Sequence, residues 1–391
     1  MKYYLIAGEA SGDLHGSNLM KGLYAVDADA TIRFWGGGMM LDVWKANQES
    51  GEGGLVKDYR ETAVMGITDV LKSLGKISRN LKTCKKDLLE WKPDVLILID
   101  YPGFNLKMAK FAHEHGIRVF YYIAPKVWAS RESRVRKIKR YVDKLFLIFP
   151  FEIPYFTRKE IPFEYRGNPL IDAVDGSPAM KESREAFFAK HDLQSGRYVA
   201  VLAGSRKGEI SRMMPVCMEV ADRLCAQDPD LHFIVAGAPA REAEDYSVYL
   251  EGRPRVHLVF GDTYGVLRNA ECAIINSGTA SLEAALIGTP QVVCWSTTAL
   301  TAFVGRHIFK VLDHIKYISL GNLIADRLIF KELIQEDFTA EKVETEVRLL
   351  MEKDYRNQML KGYAEIRETL GGSGASQAVA KAMMEELRKG K

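Results

Sequence analysis

The run Asp94-Val95-Leu96-Ile97-Leu98-Ile99-Asp100, followed by Tyr101-Pro102-Gly103-Phe104-Asn105, decides the fold. Its apolar residues stand between two carboxylates without polar alternation, which is how a strand covered by helices on both faces reads. A Pro-Gly turn then leads into a helical pattern. Outward from this run the alternation repeats. Lys2 to Ala7, Thr31 to Trp35, Arg118 to Ile123 and Lys144 to Ile148 read as strands, each followed by helix-length amphipathic sequence. A βαβ series of this kind gives a parallel sheet in an α/β fold.

Gly167, Pro169, Gly176 and Pro178 then interrupt the periodicity, and a helix from about Lys181 to His191 opens a second series. Its strands are expected at Tyr198 to Ala203, His232 to Ala236, Val256 to Phe260, Cys272 to Asn276 and Gln291 to Cys294. A chain of 391 residues exceeds one hydrophobic core, so two Rossmann-like domains in tandem are expected, 1–168 and 169–370, with a cleft between them. The Gly371 to Gly374 patch reads as a hinge before a terminal segment, 371–391, whose helix can pack on either domain.

Composition narrows the classes. With 47% hydrophobic and 27% charged residues, disorder and coiled coil are excluded, and a net charge of +3 is too small for wholesale nucleic-acid binding. The five cysteines form no Cys-x-x-Cys pair, which favours reduced thiols and a cytoplasmic location. No signal region opens the chain and no apolar run reaches membrane-span length, so any membrane contact is expected to be peripheral.

Ligands of open α/β sheets bind beyond the carboxyl ends of strands, so loops that follow strands rank first. Gly8-Glu9-Ala10-Ser11-Gly12-Asp13 offers a tight turn and free N–H groups at a helix start, with Glu9, Ser11, Gly12 and Asp13 facing a polar ligand or, alternatively, with Asp13 as a helix cap. The loop matches neither the dinucleotide nor the Walker A pattern. His15, just beyond it, can orient a substrate. Asp100, lifted to the same edge, suits a general base, and capping of the Pro-Gly turn is its other reading. Gly204-Ser205-Arg206-Lys207-Gly208-Glu209 joins small residues, an arginine and a helix start, a combination that suits phosphate through Ser205 and Arg206. In Ser277-Gly278-Thr279-Ala280-Ser281-Leu282-Glu283, Ser277, Gly278 and Thr279 can meet an oxyanion and Glu283 two ribose hydroxyls, although the same spacing makes a capping box. Two such loops on one edge point to a nucleotide diphosphate. Asp27-Ala28-Asp29 resembles a metal-presenting pattern but precedes a strand, so no metal and no cofactor are expected.

Positive charge gathers in two segments. Val64 to Lys92 carries seven Lys/Arg against three acids, and Val64, Met65, Ile67, Val70, Leu71 and Leu74 keep helical spacing; Arg131 to Arg140 holds six basic residues and one acid. Such helices lie on anionic lipid or, equally, turn the apolar stripe to the core.

These motifs, taken in order, resemble the lipid-A-disaccharide synthase family of inverting GT-B glycosyltransferases. The resemblance rests on Gly8 to Asp13, Val64-Met65-Gly66-Ile67, Ile99 to Asn105, Ala124-Pro125-Lys126-Val127-Trp128-Ala129, Gly204-Ser205-Arg206, Ser277 to Glu283 and Asn322-Leu323, and it spans nearly the whole chain. It implies transfer from UDP-2,3-diacylglucosamine to the 6-hydroxyl of 2,3-diacylglucosamine 1-phosphate at the inner face of a bacterial inner membrane, giving a β-1,6 disaccharide and UDP. It further implies Asp100 as the catalytic carboxylate, Arg206 as an essential arginine, Ser277, Gly278, Thr279 and Glu283 in the UDP site, and Asn322 near the donor diphosphate. A homo-oligomer is compatible with it. The chain departs from many members at Gly103, Ser130, Asn168 and Ala203, which bears on the acceptor side and leaves the nucleotide loops intact. The alternatives are another GT-B enzyme, such as a muramyl-precursor N-acetylglucosaminyltransferase or a UDP-sugar epimerase, and a non-catalytic nucleotide- or nucleic-acid-binding module.

Overall fold

The computed structural model describes residues 1–48, 51–62, 70–125, 132–297 and 316–389. Two compact units emerge: Met1–Ala173 together with Leu370–Lys391, and Val174–Thr369. The first contains β1 (Lys2–Ala7), β2 (Thr31–Gly36), β3 (Gly54–Asp58), β4 (Val95–Ile99), β5 (Arg118–Tyr122), β6 (Lys144–Leu147) and β7 (Phe163–Tyr165), in the order β3-β2-β1-β4-β5-β6-β7. The second contains β8 (Arg197–Leu202), β9 (Leu231–Gly237), β10 (Val256–Phe260), β11 (Cys272–Asn276), β12 (Gln291–Trp295) and β13 (Glu332–Ile334), in the order β10-β9-β8-β11-β12-β13. All pairings are parallel.

The apolar run Val95–Ile99 is β4, and each of its five residues is fully buried between its neighbours β1 and β5. Burying one such side chain contributes about 1.5–3 kcal/mol, so the strand anchors its unit. Three strands have no signature in the sequence: β3, β7 and β13. Each is short, partly polar and at a sheet edge, where one flank needs no continuous apolar sequence.

The terminal helix Ala375–Lys389 packs on the helix Ala10–Val26 of the first unit. Gly22 makes the close crossing possible, because a Cβ there would stand 2.9 Å from the Ser376 carbonyl oxygen. The Asp172 carboxylate accepts the N–H groups of Gly374 (2.5 Å) and Ser376 (2.7 Å), capping the helix start, and Glu386 pairs with Lys144 at 2.9 Å and Arg118 at 3.6 Å. The basic helix Val70–Trp91 is fastened through Asp87, which accepts the Tyr4 hydroxyl at 2.7 Å and a two-pronged contact from Arg33. Val64, Met65 and Ile67 lie outside the described residues, as do Lys126 to Ser130 and the side chains of Val70, Leu71 and Leu74. Among the described residues no helix is long and apolar enough to cross a membrane.

Candidate functional site

In each unit the strand order reverses between two central strands, and it is from those strands that the candidate loops arise. In the first unit they are β1 and β4, whose last residues, Ala7 and Ile99, pair directly. The loops beginning at Gly8 and Asp100 therefore start side by side at the switch point where open α/β sheets bind ligands. They also touch. The Tyr101 ring lies over Gly8, where a Cβ would come within 2.3 Å of two ring carbons, and the same ring stacks on Phe104 at 5.6 Å.

Asp100 and Tyr101 both adopt left-handed backbone, with φ of 44° and 45°. Residues with a Cβ rarely do so, and consecutive cases collect where the surroundings dictate the conformation. Asn105, fully buried, donates from Nδ2 to the carbonyl oxygens of Asp100 (2.8 Å), Ile99 (3.2 Å) and Ile6 (3.4 Å), tying the ends of β1 and β4 to the turn. The Tyr121 hydroxyl, from the end of β5, donates to the same Asp100 carbonyl at 2.5 Å. Asp100 itself is partly exposed beyond the strand.

The first loop divides. Glu9 is exposed and Ser11 partly so, whereas Gly12 and Asp13 are buried. Asp13, expected to face a ligand or cap its own helix, does neither: its carboxylate accepts the N–H groups of Gly37 (2.7 Å), Met39 (3.1 Å) and Met40 (3.2 Å), capping the neighbouring helix Gly38–Asn47. Burial raises its pKa, and these three bonds oppose the rise. His15, just beyond the loop, is buried as well. It is 4% exposed, its Nδ1 has no partner among the described residues, and burial lowers its pKa to about 4. Asp27 receives the N-terminal ammonium at 3.0 Å and the Tyr3 hydroxyl at 2.8 Å.

In the second unit the central strands are β8 and β11, paired in register through Leu202 and Ile275. Gly204 holds φ of 101°, and a Cβ there would stand 2.5 Å from both Asn276 Nδ2 and Glu209 Oε2. Only glycine fits that position. Glu209 then decides what the loop can do. Its Oε2 accepts the N–H groups of Ser205 (3.0 Å) and Arg206 (3.2 Å), and its Oε1 meets Arg206 Nη1 at 3.2 Å. The N–H groups assigned to phosphate are thus filled by the protein's own carboxylate, while the Arg206 side chain stays 70% exposed. An acid at Glu209, in the first turn of the helix and three residues after the N-cap Arg206, is the half of a capping box that reaches back to the N-cap N–H, and it competes with the phosphate reading of the same loop.

The start of the helix Thr279–Ile287 differs, because its N-cap, Gly278, supplies no side-chain cap. Its first-turn N–H groups make the positive end of a helix at the carboxyl edge of a central strand. Ser277 is held by its N–H to the Cys294 carbonyl (2.9 Å) and its hydroxyl to the Ile318 carbonyl (3.4 Å). Glu283 does not cap this turn; it accepts the Tyr264 hydroxyl at 2.7 Å, and burial raises its pKa against that bond. Tyr264 carries no local signal, since it lies 19 residues upstream. Asn322, expected beside a diphosphate, is committed elsewhere. Fully buried, it donates to the Phe330 carbonyl (3.0 Å) and Glu332 (2.8 Å) and accepts the Ile329 N–H (2.8 Å), so both its amide hydrogens fold the 319–332 segment.

A family model described as Lipid-A-disaccharide synthetase matches residues 3–385. The lipid-A-disaccharide synthase of Geobacter sulfurreducens is 39% identical over 98% of this chain and 97% of that protein, and that of Myxococcus xanthus is 38% identical over 99% and 98%. Among solved structures, a UDP co-structure of MnaA from S. aureus superposes with a TM-score of 0.70 at 14% identity, covering 99% of this chain and 97% of that one. MurG from Acinetobacter baumannii gives 0.54 at 14% identity over 98% and 99%. At these identities the structures speak for the fold, two Rossmann-like domains of the GT-B type.

Proposed function

The chain belongs to the lipid-A-disaccharide synthetase family, glycosyltransferases that form the lipid A disaccharide, and we propose that it moves 2,3-diacylglucosamine from its UDP donor to the 6-hydroxyl of 2,3-diacylglucosamine 1-phosphate. Asp100 removes the hydroxyl proton as the oxygen attacks C1 of the donor and UDP departs. One displacement inverts the anomeric centre. The observation that carries this reading is the strand-end position of Asp100 in a backbone conformation dictated by its neighbours.

The second unit takes UDP. The uncapped turn at Gly278 and Thr279 faces the diphosphate, the exposed Arg206 guanidinium adds the neighbouring positive charge, and Glu283 accepts from the ribose. Donors aimed at a departing oxyanion are worth about 3–4 kcal/mol each in a dry site, which supports leaving-group stabilisation without a metal. Ser205 stands beside Arg206 in the turn that follows β8. The acylated substrates place the enzyme at a membrane surface on the cytoplasmic side, where the basic segment 64–92 collects them.

The test is incubation with both acylated glucosamines and mass detection of disaccharide and UDP. Asp100→Asn is expected to lower turnover at least about a hundredfold while UDP binding persists. Full turnover by that variant refutes the base assignment, and UDP-sugar turnover without acceptor refutes the transferase reading in favour of an epimerase.

A further inference from the structure

The turn that carries Asp100 holds two consecutive left-handed residues, neither of them glycine. Such a pair does not persist unless its surroundings fix it. What fixes it is concentrated on one atom, the Asp100 carbonyl oxygen. That oxygen accepts the Tyr121 hydroxyl at 2.5 Å and Asn105 Nδ2 at 2.8 Å, filling both of its lone pairs. The Asp100 N–H donates to the Tyr122 carbonyl at 3.2 Å, so the residue is gripped from both sides of its α-carbon. Rotating Asp100 toward right-handed or extended backbone would turn this carbonyl away from both donors. Tyr121 and Asn105 are each fully buried, and Tyr121 belongs to a packed cluster that includes Ile6, Leu98 and Phe104, so neither is free to follow.

We propose that Tyr121, together with Asn105, is a positioning residue for Asp100, holding the 100–101 turn so that the carboxylate stands beyond β4 in the one orientation proton removal requires. This rests on the assignment of Asp100 as the base. Asn105 also ties β1 to β4, so its loss weakens the sheet end itself. Tyr121 makes the cleaner test, because phenylalanine fills the same space and Asn105 still satisfies the carbonyl. Burial pushes the Tyr121 hydroxyl pKa well up, so the group stays protonated and is always a donor.

The experiment compares Tyr121→Phe, Asp100→Asn and the double variant in full-length protein, reading kcat, the KM of each acylated substrate, UDP affinity and the thermal midpoint. Tyr121→Phe is expected to lower kcat about tenfold, since displacing a reacting group by up to 1 Å costs up to about a hundredfold. Donor KM and UDP affinity stay within about twofold. In the Asp100→Asn background the same change has no further effect, because the base through which it acts is already gone. Wild-type kcat in Tyr121→Phe, or an equal loss in both backgrounds, overturns the positioning role. Full turnover by Asp100→Asn alone removes the base assignment first and this inference with it, so the two failures are told apart by a single variant.

Discussion

Gly8→Ala tests whether the two loops of the first switch point work as one piece. The added Cβ would lie 2.3 Å from Cγ and Cδ1 of Tyr101 and 2.8 Å from Cδ2, whereas carbons settle at about 3.5–4.0 Å. The ring must retreat by more than about 1 Å. It cannot retreat alone, because it stacks on Phe104 and its backbone continues the left-handed turn of Asp100. Overpacking of this kind costs about 1–3 kcal/mol, and a shift of about 1 Å at a reacting group lowers turnover by up to about a hundredfold. The expected result is a fall of roughly 10- to 100-fold in disaccharide formation, a thermal midpoint lower by a few degrees (about 2–4 °C per kcal/mol) and unchanged UDP affinity. Adding Tyr101→Gly removes the ring and returns the midpoint toward wild type. Wild-type turnover and midpoint in Gly8→Ala would refute the coupling, since no ring so placed can share that space with a methyl group.

Acid stability should report His15. Its folded pKa of about 4 lies below the unfolded value of about 6.5, so its contribution is intact above about 6.5 and is lost as pH falls toward 4, by about 3 kcal/mol in all. Chemical denaturation at a series of pH values should show this slope flattened in His15→Gln; parallel curves for the two proteins exclude His15 as its source. Glu209→Ala uncaps the helix Lys207–Gln227 and should lower stability by about 1 kcal/mol, while Glu209→Gln, which keeps an acceptor oxygen, recovers most of it. An unchanged midpoint in Glu209→Ala would show that the carboxylate does not hold the turn.

What the sequence discloses and what it withholds divide along a physical line. Strand ends are legible because a strand buried on both faces is an uninterrupted apolar run, and the polar or glycine-bearing turn that closes it is read directly: Asp100 after β4, Gly204 after β8, Ser277 after β11. Partners are illegible where they depend on register. That the hydroxyl of Tyr121 meets the Asp100 carbonyl follows from β5 lying beside β4 with Ile99 opposite Tyr122, a fact of sheet order that no local pattern encodes. The Asp13 carboxylate serves a helix start 24 residues away for the same reason. Glu209 is the opposite case, since its capping spacing is local and visible, and the same loop composition that suggests phosphate also encodes the cap.

Capping also separates helix starts that are available to an anion from those that are not. Asp13, Asp172 and Glu209 each place a carboxylate on N–H groups that a ligand would otherwise meet, at the helices beginning at Gly38, Ala375 and Lys207. At the switch point of the second unit, the helix beginning at Thr279 has glycine as its N-cap, Gly278, which has no side chain to cap it. Helix-end charge favours an anion wherever it is unscreened by a near carboxylate. Of the two helix starts at that switch point, the one at Thr279 therefore favours an anion more than the one at Lys207, where Glu209 already sits. The Arg206 guanidinium shares that carboxylate, meeting Oε1 at 3.2 Å, while its side chain stays 70% exposed.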